Sequence, residues 1–166
     1  TEGCGFELEF VRVPHRDEYS DTHAIRVIGP KHTLLFLPDH DDWGQTLDLV
    51  GESSIREWLR SMGVDFAMID GTFWSDDEFG GRDMTLVPHP TISETLGLLG
   101  EKREGDPEVI FIHLNHTNPA LDGGSSQARE LSNLVNRRTR FDDTAVDEAN
   151  IMSRRHSRGP CESLGR

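Results

Sequence analysis

The chain has 166 residues, 34% of them hydrophobic, with a formal net charge of -13. That length allows one domain with a core, while the acidic excess argues against a nucleic-acid backbone or an anionic membrane surface as partner, because phosphate binding draws on Lys and Arg releasing counterions. Cys4 and Cys161 stand near opposite ends outside any CxxC arrangement, no apolar run reaches membrane-spanning length and no signal-like leader opens the chain, so the reducing cytoplasm is the expected location.

In chain order, Phe6, Leu8 and Phe10 alternate with Glu7 and Glu9, which predicts a strand with one wet face, closing at Val13-Pro14-His15. A start on Thr1 that runs directly into this strand predicts a piece of a longer protein. HAIRVIG and HTLLFLP follow as strand, tight turn at Gly29-Pro30-Lys31, strand. Ile55, Trp58, Leu59 and Met62 keep helical spacing, with Ser54 and Glu57 as a capping box and Gly63 as the stop. DFAMID reads as the next strand, and residues 71–87 as a long acidic loop of the kind that carries function or disorder. A second helix starts near Thr91, boxed with Glu94, and stops at Gly100; residues 109–112 form another strand; Ala128, Leu131, Leu134 and Val135 mark a third helix. From Arg137 the periodicity is lost, which predicts an ordered unit over 1–136 and a polar, disordered tail over 137–166. Strands alternating with helices in the second half make this an α/β chain.

The polar residues fall at strand ends. His15 follows VRVP, Asp39 follows TLLFLP, Asp70 closes DFAMI and His113 closes VIFI, and loops at one end of a sheet converge. Two His and two Asp there form a nitrogen-and-oxygen donor set suited to zinc, manganese or non-haem iron. Each also has a plainer role open to it: His15 as a turn cap, Asp39 and Asp70 as helix or turn caps, His113 as a donor to a carbonyl. His23, His32 and His40 read as surface residues, and Ser75-Asp76-Asp77-Glu78 as a solvated loop without calcium-loop spacing.

With these positions aligned, VPHRDEYSDT, LLFLPDHDDW, DFAMIDGTFW, LVPHPTISETLGLL and FIHLNHTNPAL resemble, in that order, the pyrroloquinoline quinone biosynthesis protein B family of the metallo-β-lactamase superfamily. FIHLNHTNP and IDGTFW carry most of the resemblance. It implies an α/β fold, the αββα sandwich, represented by its C-terminal half, and a dinuclear zinc or iron centre. It assigns His15, Asp39 and His113 as metal ligands and Asp70 and His89 as proton-transfer residues. His116 has no ligand counterpart and is taken as a catalytic or substrate-facing neighbour. The superfamily's HxHxDH motif, source of the other four ligands, is absent from these residues, and a polar stretch from Arg137 stands where the family closes with a strand.

The resemblance thus implies a metal-dependent hydrolase or oxygenase, incomplete as given, acting on a small-molecule or peptide-derived substrate. Two alternatives stand beside it: a non-catalytic remnant or split-enzyme half, and an RNA-processing nuclease, which the acidic charge disfavours. In a two-halved sandwich, Phe6, Leu8, Phe10, Leu35, Leu37 and Ile110 would form an open apolar sheet face. The expected partner is therefore a missing N-terminal half or a second copy.

Overall fold

A computed structural model of the chain describes residues 5–16, 18, 20–79 and 87–138. Five strands make one sheet in sequence order: β1 (Glu7–Val13), β2 (Thr22–Ile28), β3 (Thr33–Leu37), β4 (Phe66–Asp70) and β5 (Glu108–Ile112). The β1–β2 and β2–β3 pairs are antiparallel, and β3–β4 and β4–β5 are parallel. Hence β1, β3, β4 and β5 all run one way and β2 alone runs against them. The β2–β3 turn closes with Gly29 N–H donating to His32 O at 2.9 Å; a Cβ on Gly29 would stand 2.9 Å from that same oxygen, so the turn needs glycine.

Helices α1 (Trp43–Val50), α2 (Ile55–Ser61) and α3 (Ile92–Leu99) cover one face. Asp42, Ser54 and Thr91 cap them, each side chain accepting from the backbone N–H three residues on. Helix α1 ends at Gly51, whose φ of 74° is the left-handed stop that glycine permits. The α2 and α3 caps are those the sequence predicts. Helix α1 is not: its apolar residues Trp43, Leu47 and Val50 follow an acidic run that reads as loop, although Asp42 and Gly51 frame it as cap and stop.

Pleating sorts the sheet residues. Val13, Ala24, Leu35, Leu37, Ala67 and Ile69 are buried against Trp43, Ile55, Trp58, Leu59 and Leu99. The register places Leu8, Phe10, Ile25, Val27, Leu34, Phe36, Phe66, Met68 and Ile110 on the other face. Phe10 there is 63% exposed and Leu8 50%. The open apolar face is thus present, but Leu35 and Leu37 are not on it. With apolar residues on both faces of β3, alternation alone did not reveal which side the helices take; Phe36 replaces them on the exposed side.

The described residues up to Leu131 belong to one compact unit, and helix α4 spans Ser126–Arg138. The predicted tail beyond 138 lies outside the described residues, as does the part of the acidic loop at 80–86. Among the described residues, no helix is long and apolar enough to cross a membrane.

Candidate metal centre

Four strands of common direction deliver their C-terminal ends to one edge of the sheet, and each end carries a donor. Pro14 and Pro38 stop β1 and β3 because proline brings no N–H to a ladder; His15 and Asp39 come next. Asp70 is the last residue of β4, and His113 follows β5 directly. His89 arrives from the other direction, two residues ahead of the α3 cap Thr91.

His113 has φ 61°, in the left-handed region, which costs a residue with a Cβ about 1–2 kcal/mol. The following turn holds it there. Buried Asn118 donates to Gly71 O at 2.9 Å and accepts from Ala120 N–H at 3.0 Å, while Asn115 N–H donates to Thr72 O at 3.0 Å. Two chain ends, after β4 and after β5, are thereby stitched together. Gly71 permits the approach, since a Cβ on it would lie 2.8 Å from the Phe111 Cβ.

Asp70 is fully buried and fully bonded. Its Oδ1 accepts from Thr72 N–H at 2.9 Å and Thr72 Oγ1–H at 2.7 Å, and its Oδ2 from His89 Nδ1–H at 2.7 Å. Burial pushes its carboxyl pKa up, but the hydrogen bonds from His89 and Thr72 outweigh that and hold it below the usual range. For His89, burial pulls down, and the bond to Asp70 with the charges of Asp70, Asp39 and Asp41 wins, leaving its pKa raised. Because the Thr72 hydroxyl gives its hydrogen to Asp70, it meets His113 Nδ1 as an acceptor at 3.0 Å. That leaves Nε2 of a neutral His113 ring with a lone pair.

Asp39 differs. Its Oδ1 is buried and has no hydrogen-bond partner, although His15 Nε2 lies 3.2 Å away and His89 Nδ1 3.4 Å away. One donor atom each from Asp39, Asp70, His89 and His113 falls within 4.8 Å of the others. His15 adjoins the group, its ring centre 5.6 Å from that of His89. An orphaned carboxylate oxygen amid imidazoles fits a divalent cation: two ligands on one zinc ion, each about 2.0–2.2 Å from it, stand roughly 3.3 Å apart, near the His15–Asp39 spacing.

Five of the six predicted site residues therefore meet: His15, Asp39, Asp70, His89 and His113. His116 does not join them; it is exposed, and its Nδ1 bonds to Asn115 Oδ1 at 2.9 Å. Thr72, which links Asp70 to His113, was not foreseen, though its place directly after Asp70-Gly71 in IDGTFW was the available signal. Glu78 of the acidic loop is also tied in, its carboxylate accepting from Trp74 N–H and from Thr117 Oγ1; Asp76 and Asp77 are exposed, as a solvated loop requires.

No family model matches the chain. Coenzyme PQQ synthesis protein B of Pseudomonas syringae pv. syringae is 30% identical over 151 residues, covering 86% of this chain and 48% of that protein. Its counterpart in Acinetobacter baumannii (strain ACICU) is 33% identical over 143 residues, covering 76% and 46%. Among solved structures, zinc-bound PqqB from Methylobacterium extorquens aligns with a TM-score of 0.46 at 19% identity, over 78% of this chain and 46% of that one. The chain spans about half the length of the curated relatives it matches. By these sequence matches the chain belongs to the coenzyme PQQ synthesis protein B-like family.

Proposed function

We propose that this chain is the C-terminal half of a metal-dependent hydrolase or oxygenase, with His15, Asp39 and His113 holding zinc or iron and Asp70 with His89 moving protons. The buried Oδ1 of Asp39 carries the reading: it receives no hydrogen bond although two imidazole nitrogens stand 3.2 and 3.4 Å away, and a carboxylate oxygen withdrawn from water in that way is costly unless a cation meets it. The same bonding pattern supports the division of roles. Asp70 already accepts three hydrogen bonds, so it serves better as the base that keeps His89 protonated than as a ligand. When bound, such a metal polarises a substrate oxygen and lowers the pKa of adjacent water. His89, raised in pKa by Asp70, then gives a proton to a leaving group or returns one to solvent. His116, exposed in the turn after β5, serves as the substrate-facing residue. Hydrolysis goes with zinc and oxygenation with iron, on a small or peptide-derived substrate.

A second reading, a half that acts only with a partner, is supported by the open sheet face and by the absence of HxHxDH from these residues. Titration of the purified chain with zinc or ferrous iron, with bound metal counted by element analysis, tests the assignment. Alone, the chain binds weakly and below one equivalent. His113→Ala and Asp39→Ala abolish that binding, and His89→Ala leaves it intact while lowering turnover once the N-terminal half is supplied. Metal lost from His89→Ala, or kept by Asp39→Ala, overturns the division of roles.

A further inference from the structure

We propose that Asp41 is a positioning residue that fixes the tautomer and orientation of His15, so that the ring offers a lone pair beside Asp39. The metal part of this rests on the function proposed above; the tautomer part does not.

The His15 ring is held between two carboxylates in different ways. Its Nδ1 lies 3.0 Å from Asp41 Oδ1 with hydrogen-bond geometry. A carboxylate only accepts, so the ring hydrogen is on Nδ1. Its Nε2 lies 3.2 Å from Asp39 Oδ1, yet that oxygen receives no hydrogen bond. The ring is thus turned so that an Nε2 hydrogen would miss the oxygen. A ring nitrogen and a carboxylate oxygen 3.2 Å apart with no hydrogen bond between them are spaced as two ligands of one cation are.

Asp41 is well placed for this task. Its own N–H donates to Pro14 O at 2.8 Å, tying the loop after β3 to the loop after β1 beside the histidine it contacts. It directly precedes Asp42, the α1 cap, so the helix start fixes its backbone. On the other side, Thr22 Oγ1 donates to His15 O at 3.1 Å. The side chains of His15 and Asp41 are only 18% and 21% exposed, which shields their bond from competing water. An acceptor on the far nitrogen of a metal-binding histidine sets its tautomer and raises its basicity, and loss of such a partner weakens metal binding by about 10–100-fold.

The test is a two-bond proton–nitrogen correlation spectrum of the His15 ring, at a pH where imidazole is neutral. It is recorded on the metal-free wild-type chain, Asp41→Ala and Asp41→Asn, with zinc affinity measured by competition against a chromophoric chelator. The wild type shows the hydrogen on Nδ1. Asp41→Ala moves it to Nε2 and weakens zinc binding 10–100-fold, with the amide spectrum otherwise kept. Asp41→Asn, whose amide oxygen still accepts, restores the Nδ1 tautomer. A wild-type ring protonated on Nε2 overturns the inference, and that spectrum decides even if Asp41→Ala fails to fold. So does an Asp41→Ala chain with unchanged tautomer and zinc affinity. A wild-type chain with the hydrogen on Nδ1 but no zinc binding at all would instead refute the proposed function and leave the Asp41–His15 pairing standing.

Discussion

His40 lies in the core, its Nδ1 donating to Thr46 Oγ1 at 2.9 Å while that hydroxyl donates to Asp42 O, and its ring meets Trp43 edge-on at 4.4 Å. Burial pushes its pKa down to about 4, against the pull of Asp70 and Asp42. Below pH 6.5 the unfolded chain therefore takes up a proton that the folded chain refuses. Stability from this group falls as the pH drops from about 6.5 to about 4, by on the order of 3 kcal/mol. Urea unfolding across that range should show the loss, and His40→Gln should flatten it; equal slopes would clear His40 of the effect. His89 acts with the opposite sign: its raised pKa adds stability below its unfolded value that disappears as the pH rises through its folded value. In the sequence His40 sat within PDHDDW and read as surface. Its burial became visible only with helix α1, whose first residue, Trp43, packs on it.

The elements that frame the site were legible where one chemical signal was enough. Strands β1 to β5 and helices α2 and α3 show in period and caps, and the donors at strand ends show because proline and aspartate punctuate the apolar runs. Which donors pair with one another was not legible, since that depends on register between strands far apart in sequence. Thr72 bridges Asp70 and His113 only because β4 and β5 are parallel with Asp70 opposite Ile112. Gly71 guards this junction. Gly71→Ala would place a methyl 2.8 Å from the Phe111 Cβ and 3.1 Å from Ile112 O. The expected cost is about 1–3 kcal/mol, as for overpacking elsewhere, seen as a lower thermal midpoint with Asp70 and His113 moved apart. A variant that melts with the wild type would show that the two strand ends yield without cost.

For the molecule as a whole, the uncovered face of the sheet dominates the expected behaviour. Phe6, Leu8, Phe10, Phe36 and Ile110 are each at least 38% exposed, and burying one such side chain contributes about 1.5–3 kcal/mol. Together they approach the net stability of a domain, roughly 5–15 kcal/mol. The chain should therefore associate through this face, and the charge of -13 slows that without removing the drive. Light scattering on a sizing column, with dye binding to exposed apolar surface, measures it. A monodisperse monomer that binds no dye would mean the face is stable in water. Phe10→Lys should reduce association while leaving the helix-covered core untouched.

His15 follows β1 and His113 follows β5, the two outermost strands of the five. Among the described residues each has a neighbouring strand on one side only, and segments with fewer backbone partners are the ones that open locally at low cost. The centre thus draws on the two least protected strands, and a transient opening of either would scatter its donors while the middle of the sheet stayed intact. An ion bridging these loops would act as a rivet across the full width of the sheet. It would couple the opening of one margin to that of the other, although the two strands share no hydrogen bond.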